Sequence, residues 1–142
     1  MDALSLVLLT TAAPLVCFVI AIVFLIKQPK AAQSTVLLGS IASLFGAISL
    51  LMQGPKDPLR FLWFVSGDIQ LQFGFILDGP SLMFGVVVAF ITACIMFYST
   101  GYMSHDPDKA RYFAMLSFFA WSMLSFVYAV NLLQTFIFWE LV

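Results

Sequence analysis

The sequence predicts an all-α integral membrane protein: four complete transmembrane helices, the first half of a fifth, and a short extramembrane β-hairpin between helices 2 and 3. Three observations predict this class. First, 63% of the 142 residues are hydrophobic and only 9% are charged, where a soluble domain carries about 25% charged residues to cover its surface. Second, the mean hydropathy is +1.07, so bilayer hydrocarbon is the natural solvent of such a chain. Third, the apolar runs recur at the length of about 20 residues that crosses ~30 Å of hydrocarbon, and they are separated by short polar punctuation.

The first helix is expected over about 3–26 and ends at Lys27-Gln28-Pro29-Lys30, where charge and a residue that cannot continue a helix coincide. The run lacks a basic leading region and is too long for a signal-peptide core, so it reads as a retained helix with no cleavage. The second helix is expected over about 31–53. It places Gly39, Ser43 and Ala47 four apart on one face, and small residues at that spacing let a neighbouring helix approach closely in lipid.

Gly54-Pro55-Lys56-Asp57-Pro58 opens the least membrane-like segment. Two short runs follow, separated by Gly67-Asp68, and the second alternates apolar and polar at Ile69, Gln70, Leu71, Gln72 and Phe73. That period of two predicts a β-hairpin over about 61–77, lying on the membrane surface. Asp78-Gly79-Pro80-Ser81 supplies helix-start chemistry. The third helix is expected over about 81–103 and the fourth over about 111–130, with the polar loop Ser104 to Lys109 between them. His105 in that loop reads as a solvated side chain rather than a metal ligand. A fifth helix starts at about Asn131, its expected cap, and runs to 142.

Net charge is −1, with six scattered Lys and Arg residues, a balance that points to no nucleic acid and no acidic substrate. Loops one and three hold Lys27, Lys30, Lys109 and Arg111, whereas the hairpin loop holds Lys56 and Arg60. Short cytoplasmic loops carry the basic excess, so the N-terminus is expected outside. Cys17 and Cys94 stand far apart inside apolar runs and read as small buried hydrophobes rather than metal or redox groups.

Of the seven acidic residues, Asp2, Asp57, Asp68, Asp78, Asp106 and Asp108 fall in loops or at helix ends. Glu140 alone lies within an apolar run, about nine residues into the fifth helix and so ~13 Å deep at 1.5 Å per residue. An ionised carboxylate at that depth costs at least ~2.5–3.5 kcal/mol, so such a residue usually faces a cavity, a proton path or a counter-charge. Two roles remain open for it: proton transfer within the membrane, or a protonated acid hydrogen-bonded to another helix. No helix interior of the chain offers it a basic partner. The sequence has no nucleophile–base pair, no Gly-rich phosphate loop and no cofactor motif, so neither a cofactor-binding nor a metal residue is assigned.

The runs FGFILDGPSLM, YSTGYMSHDPDKARYFAMLSFF and NLLQTFIFWELV resemble the start of the L-type antiporter-like subunit of NADH:quinone oxidoreductase, respiratory complex I. The resemblance is strong over about 73–142 and is one of arrangement before that. Mrp-type sodium/proton antiporters share the Trp-Glu pair of the fifth helix. The resemblance implies a proton-translocating membrane-arm subunit in which Glu140 pairs with a lysine on a later helix. It implies an enzyme only as a subunit of the complex, with quinone reduction, NADH or another donor, flavin and iron–sulfur clusters on partner subunits. Val130 stands where many relatives carry an acid, so no proton-path role carries over to the outer end of the fifth helix. The implied partners are the other membrane-arm subunits, the lipid bilayer, and a second polypeptide that completes helix 5 and supplies the lysine. The implied location is a bacterial inner membrane or an energy-transducing organelle membrane. The alternatives are a subunit of an Mrp-type antiporter and a structural fragment that transports nothing.

Overall fold

The computed structural model describes residues 2–66 and 69–142, with side chains at all of these except 65, 66 and 69–71. Five helices and one hairpin follow in the order α1 (Ala3–Val23), α2 (Pro29–Gln53), β1 (Lys56–Ser66), β2 (Ile69–Leu77), α3 (Gly79–Tyr102), α4 (Lys109–Val127) and α5 (Leu132–Leu141). Four of the helices are long and apolar enough to cross a membrane. The predicted fold class and the place of the hairpin between α2 and α3 are what the structure shows.

Element limits differ from the sequence reading for local reasons. The first helix stops at Val23, before the charged cluster, and Pro29 opens α2 instead of ending α1. Its fixed φ and missing N–H suit a first helical turn. At the far end of α2, Gly54 takes φ 78° and ψ 176°, an extended conformation at positive φ that favours glycine. Strand β1 begins at Lys56 rather than near 61, and its pairing with β2 is irregular between Lys56 and Leu59, the stretch that holds Pro58. Proline is tolerated at such a bulge because no ladder hydrogen bond is required of it there. The antiparallel register then pairs Leu59 with Phe75, Arg60 with Gly74 and Phe61 with Phe73. The Gly67-Asp68 turn lies outside the described residues, as do the alternating side chains at Ile69, Gln70 and Leu71.

Helix α1 packs against α2 and α4, and α2 also packs against α3. The small-residue face of α2 works as its spacing predicts. A Cβ at Gly39 would collide with the Cys17 side chain, and one at Gly46 would meet Thr10 Oγ1 and, at 3.2 Å, the Thr10 backbone nitrogen. Pro14 lies buried in α1 and cannot donate to the carbonyl of Thr10, the residue four positions earlier. Ser43 of α2 donates its hydroxyl to that carbonyl at 2.6 Å, and Ser117 of α4 donates to the Pro14 carbonyl at 2.7 Å. Three helices therefore share one set of hydrogen bonds around the proline, the arrangement by which lipid-embedded helices accommodate it.

Two apolar clusters flank this centre. One, towards the hairpin, gathers Leu6, Val7, Leu50, Phe75, Leu77, Leu82, Leu124 and Tyr128; the other, towards the opposite ends of the helices, gathers Ala21, Ala32, Val36, Met96, Phe113 and Ala114. Of the two cysteines, Cys17 is half-buried and Cys94 is exposed. Cys94 is therefore not the buried hydrophobe its apolar run predicts, because it lies on the outward face of α3.

Candidate functional site

The candidate site is built on α5, whose start is fixed by Asn131. Its Oδ1 accepts from the Gln134 N–H at 2.8 Å, the predicted cap, while its Nδ2 donates to the Gln72 carbonyl of the hairpin. One turn on, the Gln134 carboxamide meets the Gly74 backbone on both sides. Gly74 N–H donates to Oε1 at 3.1 Å, and Nε2 donates to the Gly74 carbonyl at 2.9 Å. Two residues further along β2, Ile76 N–H donates to the Tyr128 carbonyl at 2.8 Å, which ends the α4 ladder earlier than the predicted 130. The outward edge of β2 is thus bonded at 72, 74 and 76 to the α4–α5 junction. Glycine is required at 74 because a Cβ there would run into the Leu59 carbonyl across the hairpin.

The buried face of α5 consists of Gln134 and Phe138. Phe138 meets Trp121 of α4 edge-on at 5.3 Å and Phe73 of β2 at 6.2 Å, and Trp139 rests on Phe126 at 5.7 Å between centroids. Beside this face is a largely apolar cleft of about 430 Å³, lined by Phe61, Leu62, Trp63, Phe73, Gln134, Ile137 and Phe138.

Glu140 stands two residues beyond Phe138 and is exposed on the opposite side of the last turn of α5. Among the described residues its carboxyl group has no hydrogen bond and no ion pair. Nine positions separate it from the Asn131 cap, ~13 Å along the helix axis. The structure brings no lysine or arginine of the described residues to it, in keeping with the absence of basic residues from the helix interiors. His105 is exposed in the α3–α4 loop with Nδ1 on the Ser104 hydroxyl at 2.9 Å. No cluster of three or more metal-ligating side chains occurs among the described residues.

Gln134 and Gly74 were missed by sequence reasoning as positioning residues. A glutamine at the third position after an Asn cap, in a run otherwise almost wholly apolar, was the available signal.

Four helices long and apolar enough to cross a membrane, with a hairpin docked on the α4–α5 junction, define the class as a multi-pass membrane protein. Comparison with known proteins gives the family. Residues 63–113 match the family described as NADH-Ubiquinone oxidoreductase (complex I), chain 5 N-terminus. The chain is 41% identical over 104 residues, 72% of its length, to NAD(P)H-quinone oxidoreductase chain 5 of Picosynechococcus sp., of which this covers 16%. It is 34% identical over 119 residues, 82% of its length, to the chloroplastic subunit 5 of Flaveria ramosissima, of which this again covers 16%. A relative from Synechocystis sp. is 44% identical over 80 residues, 56% of this chain and 12% of that one. The chain belongs to the NAD(P)H-quinone oxidoreductase chain 5 family and corresponds to the N-terminal part of that antiporter-like subunit. It spans about a sixth of the length of these curated relatives.

Proposed function

We propose that the chain is the N-terminal part of a proton-translocating membrane-arm subunit of an NAD(P)H:quinone oxidoreductase, with Glu140 as a proton-transfer group. The observation that supports this reading is the carboxyl of Glu140 in the apolar fifth helix, without an ion pair among the described residues, in a chain of the chain 5 family. The curated relatives carry oxidoreductase names, which favours this reading over an independent Mrp-type antiporter or a scaffold that transports nothing.

In this mechanism Glu140 passes a proton between groups of the membrane path. The approach of a lysine favours its ionised form and releases the proton to the next group, because an opposite charge within ~4–6 Å stabilises the carboxylate. The described residues contain no such lysine beside it, so it comes from the remainder of the relatives' length or from a second polypeptide that continues helix 5. The hairpin and the Asn131–Gln134 bonds fix the start of α5 and so set the depth and facing of Glu140.

Quinone reduction, the NADH or other donor, flavin and iron–sulfur clusters belong to partner subunits. Cys17 and Cys94, on different helices, do not form a ligand set for a cluster. The membrane is a bacterial inner membrane or an energy-transducing organelle membrane. The N-terminus and hairpin face outward, because four of the six Lys and Arg residues lie in the α1–α2 turn or in the first turns of α2 and α4, at the opposite end of the helices.

Glu140→Gln tests the reading in the assembled complex, since it keeps volume and hydrogen bonding but not charge. Proton pumping is expected to fall while assembly is retained. Undiminished pumping at normal assembly removes Glu140 from the path. Asp106→Asn and Asp108→Asn, in the exposed loop, are expected to change pumping far less. Mass spectrometry of the co-purifying proteins identifies the partners and shows which chain carries the rest of helix 5.

A further inference from the structure

We propose that the cleft between the α1–α2 turn and the start of α4, on the membrane face opposite the hairpin, binds the phosphate of an anionic phospholipid. Lys30 and Lys109, in the first turns of α2 and α4 and 79 positions apart in the sequence, line one cleft of about 400 Å³ with Gln28, Pro29 and Ala31. A second cleft of about 320 Å³ at the same two turns is lined by Ile22, Ile26, Pro107, Asp108, Ala110 and Arg111. With Lys27 in the α1–α2 turn, four cations converge on this face, and none has an ion pair or side-chain hydrogen bond among the described residues.

The acids of the same face do not neutralise them. Asp106 accepts from the Asp108 N–H at 2.7 Å and is turned to its own loop, and Asp108 lines only the second cleft. His105 is engaged by Ser104. No side chain caps the first turn of α2, so its early N–H groups add to the demand for an anion.

The flanks of the cleft decide the source of the phosphate. Ile26, which lines the second cleft, is 40% exposed, and Val23 and Phe24 at the preceding end of α1 are 60% and 72% exposed. Acyl chains cover such surface and a free anion does not. Basic pockets between membrane helices are a recurrent headgroup site, each Lys or Arg adding roughly fivefold near an anionic surface at about 1 kcal/mol.

The test uses the assembled complex in nanodiscs of phosphatidylcholine with increasing phosphatidylglycerol. Native mass spectrometry then counts the phospholipid retained by wild type, K30Q/K109Q and K30R/K109R. Wild type is expected to retain phosphatidylglycerol over phosphatidylcholine. K30Q/K109Q is expected to weaken that retention on the order of 30-fold, and K30R/K109R to restore it. Excess inorganic phosphate is expected not to displace the lipid. A photoactivatable phosphatidylglycerol should label residues 27–31 or 109–111 in wild type, a readout that survives if the double variant fails to assemble. Equal retention by wild type and K30Q/K109Q, displacement by inorganic phosphate, labelling elsewhere, or shielding of both lysines by an acidic segment of another subunit each overturns the proposal.

Discussion

Ser43 on α2 donates its hydroxyl to the Thr10 carbonyl on α1 at 2.6 Å, the acceptor that Pro14 leaves without its helical partner. The bond joins two helices at the point where one of them carries a proline, so its worth depends on that proline.

Ser43→Ala is expected to destabilise the bundle by about 1 kcal/mol, within the range measured for hydrogen bonds between membrane helices. In a Pro14→Ala background an N–H at position 14 returns to the Thr10 carbonyl, and the same serine change should cost much less. A double-mutant cycle on thermal unfolding of the purified complex measures the coupling. Equal costs in both backgrounds would show that the two residues act independently.

Gln134→Leu should detach the hairpin from α5, because it strands both the N–H and the carbonyl of Gly74, each buried and satisfied only by that carboxamide outside the ladder. A loss of about 1–3 kcal/mol is expected. Gln134→Glu keeps the acceptor and loses the donor, so it should fall between. Hydrogen exchange at Gly74 reads the bond itself, and protection equal to wild type in Gln134→Leu sinks the prediction.

The Tyr128 hydroxyl is fully buried and has no hydrogen-bond partner among the described residues, and a Cβ at Gly85 would collide with it. Tyr128→Phe is therefore expected to be neutral or to stabilise by about 1 kcal/mol, since it removes a desolvated polar atom. Gly85→Ala should be strongly destabilising alone and milder beside Tyr128→Phe. A clear loss of stability in Tyr128→Phe would reveal a partner for the hydroxyl.

Asp78 accepts from the Ser81 N–H at 2.9 Å at the start of α3. The Ser81 side chain first, and its backbone second, hold this exposed carboxyl below its ordinary 3.8. Because the folded value is depressed, the stabilisation is present above 3.8 and is lost as pH falls through the lower folded value. Asp78→Asn retains a capping side chain and should abolish this acid dependence, whereas Asp78→Ala should cost about 1 kcal/mol at neutral pH. Melting curves of the three proteins from neutral pH to below 3.8 separate these outcomes.

Much of this architecture was legible in the chain, because bilayer thickness fixes helix length and Lys-Gln-Pro-Lys and Asp-Gly-Pro-Ser are strong local punctuation. The caps at Asp78 and Asn131 followed from side-chain chemistry alone, as did the close face at Gly39 and Ser43. What local pattern did not carry was anything set by contacts distant in sequence. Strand β1 extends back to Lys56 because its partner reaches Leu77, against the turn character of Asp57-Pro58. Helix α4 ends at Val127 because the hairpin takes the Tyr128 carbonyl. Cys94 faces outward, although its neighbours are as apolar as those of Cys17. Glu140 could be singled out as the exceptional acid, but among the described residues its carboxyl group has no ion pair.

The Gly74–Gln134 pair also sets an order of events during synthesis. The two residues are 60 positions apart, so when the hairpin leaves the ribosome its outer strand has nothing to close it. Helices α3 and α4 must be threaded into the bilayer, and the junction at Tyr128 and Asn131 must emerge, before that strand is sealed. Until then it is an open template for pairing with another nascent chain. The 60 positions between Gly74 and Gln134 therefore set how long that edge stays open.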